Sequence, residues 1–160
     1  MENKILNIND PAPDFRLPNQ DKKEVVLPHF LGKWVALYFY PKDHTPGCSM
    51  EAVDFTAAVD ELTQMNCVVI GVSPDSPERH RSFIEKKKLR LTFLSDPERH
   101  VLKKYGVWQR KKNFGREYFG TVRSTFLIDP AGKIAYIWRN VRVKGHVQAV
   151  KERLQSLREN

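Results

Sequence analysis

Cysteine is scarce in this sequence: Cys48 and Cys67 are the only two thiols in 160 residues. A chain this long and this poor in cysteine is no disulfide scaffold, and it fits a reducing compartment. No apolar run approaches the roughly 20 residues of a membrane helix. The first ten residues lack the basic patch, apolar run and small-residue cleavage site of a secretory signal, so the expected location is cytoplasmic, with no membrane partner. His29, His80, His100 and His146 stand singly, without carboxylates or cysteines at ligand spacing, so no metal and no cofactor are expected. Acidic residues are outnumbered by basic ones, 19 to 27, for a net charge of +8. That balance raises an anionic partner. The cations are scattered, however, with Lys86-Lys87-Lys88 closing a predicted helix and Arg110-Lys111-Lys112 in a predicted loop. No stacking pattern of aromatics accompanies them, which leaves a solvated basic surface and no specific nucleic acid.

What is present is ample for one globular domain: 41% of residues are hydrophobic. Residues 34–40 read as a buried strand that Pro41 ends. Thr45 has the chemistry of a helix N-cap, Pro46 suits the first helical position, and Cys48 falls in the first turn. Unpaired amides at a helix N-terminus favour thiolate, and the thiolate is the nucleophile. The helix is predicted to run to about Gln64, with Ala52, Phe55, Val59 and Leu62 on its core face. Upstream, residues 11–18 and 24–27 form an N-terminal β-hairpin extension. Downstream come a strand at 67–72, a helix from Ser76-Pro77-Glu78 to about Lys88, a short strand at 92–94 and a helix from Asp96-Pro97 to Gly106. Residues 107–121 show no period and read as a long loop over a site. A strand from Arg123 to Ile128, a turn, a returning strand at 133–138 and a closing helix marked by Val147, Val150, Leu154 and Leu157 complete an α/β pattern. The simplest architecture is a thioredoxin-like fold with a mixed central sheet flanked by helices.

The block from Tyr38 to Glu51, with Pro41, Thr45 and Cys48 in the spacing P-x-x-x-T-x-x-C, resembles the active-site signature of the peroxiredoxins. Phe39-Tyr40-Pro41-Lys42-Asp43 with Thr45-Pro46-Gly47-Cys48 is similar to the bacterioferritin comigratory protein branch, also called peroxiredoxin Q. Gly71-Val72-Ser73, Phe93-Leu94-Ser95-Asp96, Tyr105-Gly106-Val107-Trp108 and Arg123-Ser124-Thr125-Phe126-Leu127-Ile128-Asp129 follow the same branch in order. The resemblance implies thiol-dependent reduction of hydrogen peroxide and organic hydroperoxides. Cys48 would be the peroxidatic cysteine, Thr45 would offer its hydroxyl to thiolate and peroxide, and Pro41 would shield the thiolate. Arg123 would add a fixed positive charge that favours the thiolate and orients the peroxide. Glu51 is either a helical surface charge or the residue that holds the guanidinium. His44 reads as a polar turn residue rather than an acid for the leaving group.

The sequence departs from its branch at Val53, where many members carry a resolving cysteine. Cys67, which opens a strand after the helix, reads as buried and structural. The implied cycle is therefore of one-cysteine type, with thioredoxin, a glutaredoxin or a small thiol as reductant. The alternative is a two-cysteine cycle in which Cys67 resolves Cys48 after the intervening helix opens. A peroxide sensor that relays oxidation to a partner protein would use the same sulfenic acid. A thioredoxin-type disulfide oxidoreductase is disfavoured, because Thr45 stands where a C-x-x-C motif needs its first thiol and Arg123-Ser124-Thr125 lacks the proline such enzymes place opposite the thiols. The branch suggests a monomer.

Overall fold

The computed structural model describes residues 5–159. Its centre is β3 (Trp34–Phe39), an uninterrupted apolar segment buried on both faces. Val35, Leu37 and Phe39 point into one core and Ala36, Tyr38 and Tyr40 into the other, as the two-residue period of a strand requires. β4 (Cys67–Ser73) pairs parallel to β3 on one side, and β5 (Thr92–Ser95) pairs parallel to β4. On the other side β8 (Ser124–Ile128) and β9 (Ile134–Trp138) run antiparallel, giving a mixed sheet of order β5-β4-β3-β8-β9. This is the thioredoxin-like arrangement.

One face carries α1 (Pro46–Gln64), α2 (Pro77–Lys87) and α4 (His146–Arg158), which bury Phe55, Leu62, Phe83, Val150 and Leu154 against the sheet. The other face is closed by the short α3 (His100–Lys104) and by the N-terminal segment, through Val101, Leu102, Leu6, Phe15 and Leu17. Gly71 of β4 packs beneath Phe93 and Tyr38, and a Cβ there would lie 2.8 Å from the Phe93 ring. β1 (Arg16–Pro18) and β2 (Glu24–Val26) form the expected N-terminal hairpin, paired Arg16 to Val26 and Pro18 to Glu24.

Three local expectations are corrected. Residues 107–121 are not a loop but a second hairpin, β6 (Trp108–Asn113) and β7 (Arg116–Thr121), turned at Phe114 and Gly115, both in the left-handed region. Arg110, Lys111 and Lys112 thus lie on a strand. The helix expected from Asp96-Pro97 starts only at His100, because Arg99 adopts left-handed backbone; the Asp96 carboxylate accepts from the amides of Val101 and Leu102, 2.9 Å each. Thr45 occupies the N-cap of α1, but its hydroxyl donates to the Lys42 carbonyl at 2.8 Å instead of capping an amide. Ser76, by contrast, caps α2 by accepting from the Arg79 amide.

Candidate active site

The candidate site lies where β3 turns into α1. Tyr40 still joins the sheet by donating its amide to the Val72 carbonyl, and Pro41 follows without a donor to continue the ladder. His44 is left-handed at φ 67°, which reverses the chain into the helix, and its ring meets Phe83 edge-on. Cys48 is the third helical residue and only 2% exposed. Arg123, in the link between β7 and β8, reaches over this first turn. Its Nη2 donates to Cys48 Sγ at 3.2 Å and its Nη1 to Glu51 Oε1 at 2.5 Å. Glu51 sits one turn after Cys48 on the same helix face, which is why one planar fork can serve both.

Burial sets the electrostatics. Glu51 has no exposed side-chain surface, and burial pushes its carboxyl up to about 7, against the pull of the Arg123 charge. Its second oxygen has no partner among the described residues, nor has the buried Tyr38 hydroxyl. Tyr38 is raised by burial first and by the Glu51 and Cys48 charges next. Burial works against the Arg123 charge, but Glu51 and Cys48 outweigh it and hold the guanidinium protonated more firmly than usual. The guanidinium is thus a fixed cation against the sulfur. His146, the first residue of α4, bonds Thr125 Oγ1 at 2.7 Å and meets Phe55 of α1 edge-on; burial, with the Arg123 charge, pushes its imidazole down to about 4.

A buried polar cluster, unseen in the sequence, anchors the turn. Asp43 Oδ2 lies 2.6 Å from His80 Nδ1, and Asp43 Oδ1 accepts from the Tyr40 hydroxyl at 2.5 Å. His80 Nε2 faces the Leu94 carbonyl, which can only accept, so that nitrogen carries a proton. Asp75 accepts from the Asp43 amide and the Ser73 hydroxyl, 2.7 Å each, and from Arg79 at 2.9 Å. His80 is therefore not an isolated histidine, as its spacing suggested: it joins two carboxylates whose ligand atoms lie within 4.8 Å of its own. Each is already engaged within the cluster. The signal was half present, since Asp43 lies inside the signature block, but only the fold brings α2 to it.

Cys67 lies at the opposite end of the central strand. It pairs with Trp34, the first residue of β3, whereas Cys48 follows the last. The five steps from Trp34 to Phe39 at about 3.3 Å each put roughly 17 Å between those ends. Burial pushes its thiol up to about 12, so at neutral pH it is no nucleophile.

A thiol over a helix N-terminus, on a thioredoxin-like sheet and beneath an arginine, belongs to the class of thiol enzymes. A sequence model of the AhpC/TSA family matches residues 8–137. Peroxiredoxin Bcp of Bacillus subtilis is 44% identical over 154 residues, covering 96% of this chain and 98% of that one. Peroxiredoxin Bcp of Escherichia coli is 41% identical over 145 residues, 91% of this chain and 93% of that one. Among solved structures, a mutant PrxQ of Xylella fastidiosa superposes with a TM-score of 0.90 at 34% identity, over 96% of this chain and 98% of that one. The chain belongs to the AhpC/TSA family. It is an enzyme of the peroxiredoxin kind, a thiol-dependent peroxidase.

Proposed function

We propose that the chain reduces hydrogen peroxide and organic hydroperoxides through a Cys48 sulfenic acid, in a one-cysteine cycle that an external thiol or dithiol completes. The observation that carries this reading is the Arg123 fork, with one nitrogen 3.2 Å from Cys48 Sγ and the other on buried Glu51. The Cys48 thiolate attacks one peroxide oxygen in line, the S–O bond forms as the O–O bond breaks, and the other oxygen takes a proton and leaves as water or an alcohol. Arg123 donates to the sulfur and, with its remaining donors, holds the peroxide oxygen next to it. Glu51 fixes the guanidinium. Thr45 Oγ1 spends its hydrogen on the Lys42 carbonyl, so its lone pairs are what it offers to a peroxide O–H. Pro41, half buried beside the turn, keeps bulk water from the thiolate.

Organic substrates are supported by a relative, since bacterioferritin comigratory protein from Xanthomonas campestris has alkyl peroxide reduction activity. The distance to Cys67 and its high-lying thiol favour the external reductant, a thioredoxin, glutaredoxin or small thiol. The test is peroxide consumption with an excess of dithiothreitol. Cys48→Ser is expected to lose it and Cys67→Ser to keep most of it. Equal loss in both variants contradicts the one-cysteine cycle.

A further inference from the structure

We propose that the β6–β7 hairpin is the docking surface for the reductant, a small protein dithiol whose surface beside its thiols is acidic. The proposal rests on the one-cysteine cycle above and specifies its partner. The hairpin stands outside the five-stranded sheet as a ribbon of its own. A two-stranded ribbon that only supported the fold would turn its aromatic rings inward. Here Phe114 at the tip is 96% exposed, and Tyr118 and Phe119 are exposed as well. Arg110 and Lys112 share a face with Phe119, and Arg116 shares the other with Tyr118; all three are exposed. Arg110 is paired with Glu117 at 3.7 Å, while Lys112 and Arg116 have no ion pair among the described residues. Exposed rings amid unpaired cations are what a protein interface with an acidic partner uses.

The base of the ribbon adjoins the site. Trp108, Gly120 and Thr121 share a cleft of about 580 Å³ with Pro41 and Lys42. Arg99, whose guanidinium lies 4.8 Å over the Trp108 ring, continues the positive surface to that cleft. The Asp75 carboxylate there is already neutralised by Arg79. β7 then runs through Val122 into Arg123, the residue on Cys48. A partner seated on the ribbon therefore has its thiols at the Pro41 turn. Nucleic acid fits the same charges less well. The register sets Phe119 beside Arg110 on one face and Tyr118 beside Lys111 on the other, and Arg110 lies 5.6 Å over the Phe119 ring, so no row of free rings exists for bases to stack on.

The chemistry balances without another reactant. A thiolate of the partner attacks the Cys48 sulfenic sulfur, the S–S bond forms, and hydroxide leaves and takes a proton as water. The partner's second thiolate attacks its own sulfur in that mixed disulfide and releases the Cys48 thiolate, so the partner is oxidised by two electrons.

The test compares wild type with Lys112→Glu/Arg116→Glu, using thioredoxin and glutaredoxin of net negative charge and, separately, dithiothreitol. The double variant is expected to raise KM for the protein dithiol by about tenfold or more. Single-turnover oxidation by peroxide and turnover with dithiothreitol are expected to stay unchanged. Wild-type KM should rise with salt and that of the variant should not. Phe114→Ala, which alters no charge, should also raise it, whereas Lys86→Glu/Lys87→Glu, at the end of α2, should not. An unchanged KM in both hairpin variants, or turnover with dithiothreitol but with neither protein dithiol, overturns the docking proposal. So does loss in the double variant of salt-sensitive binding to an anionic vesicle or a single-stranded oligonucleotide while KM stays put. No turnover of wild type even with dithiothreitol contradicts the one-cysteine cycle itself, and the docking proposal with it.

Discussion

Arg123 is the residue on which the proposed chemistry turns, because a single planar group must hold the sulfur, the buried Glu51 and the incoming peroxide at once. Lysine keeps the charge but not the fork. Arg123→Lys is accordingly expected to slow single-turnover oxidation of Cys48 on the order of tenfold or more, the cost of one charge-assisted hydrogen bond lost in the transition state; a full-rate variant removes Arg123 from the mechanism. Gly71 makes a second residue-scale case, structural rather than chemical. An alanine there puts a methyl 2.8 Å from Phe93 on a fully buried strand, so Gly71→Ala should lower stability by about 1–3 kcal/mol in urea unfolding. An unchanged midpoint contradicts the packing. At this scale the sequence was informative where residues act locally and silent where they act across the fold. Pro41, Thr45 and Cys48 were legible because they lie within eight residues of one another, and Arg123 only because its neighbourhood resembled a known branch. The Asp43–His80 pair, on two elements joined only by folding, left no linear trace.

Elements were legible in proportion to how much of their surface is buried. β3, β4 and β8 read as strands because they are nearly all core, and α1 because one face is. The β6–β7 hairpin read as a loop for the converse reason. Its residues are mostly exposed, so no buried face imposes an alternation of apolar and polar side chains. The start of α3 was misplaced because its cap is not adjacent: Asp96 reaches past left-handed Arg99 to the amides of Val101 and Leu102. Asp96→Ala should therefore cost about 1–2 kcal/mol, as the loss of an N-terminal cap does, and should release the amides of Val101 and Leu102 to faster hydrogen exchange. Exchange at those amides as slow as in wild type contradicts the cap.

For the whole molecule, the buried imidazole of His146 makes stability depend on pH. In the unfolded chain it protonates near 6.5, while the folded protein keeps it neutral down to about 4. Between those values the unfolded state binds the extra proton, so this contribution is complete above about pH 6.5 and is lost as pH falls to about 4. Its size is on the order of 3 kcal/mol. His146→Gln can still bond Thr125, and its urea midpoint should fall less than that of wild type over this window. Parallel falls would contradict the assignment. The same global view separates the two thiols: the fold puts Cys48 beneath Arg123 and Cys67 at the far end of β3, in a site where burial keeps it protonated.

Intact mass after one equivalent of hydrogen peroxide, with dimedone present to trap a sulfenic acid, tests that separation. One adduct is expected, on Cys48, in wild type and in Cys67→Ser alike. A wild-type protein that loses two mass units without an adduct, while Cys67→Ser is trapped, would mean that α1 opens and that Cys67 resolves Cys48, contradicting the one-cysteine cycle.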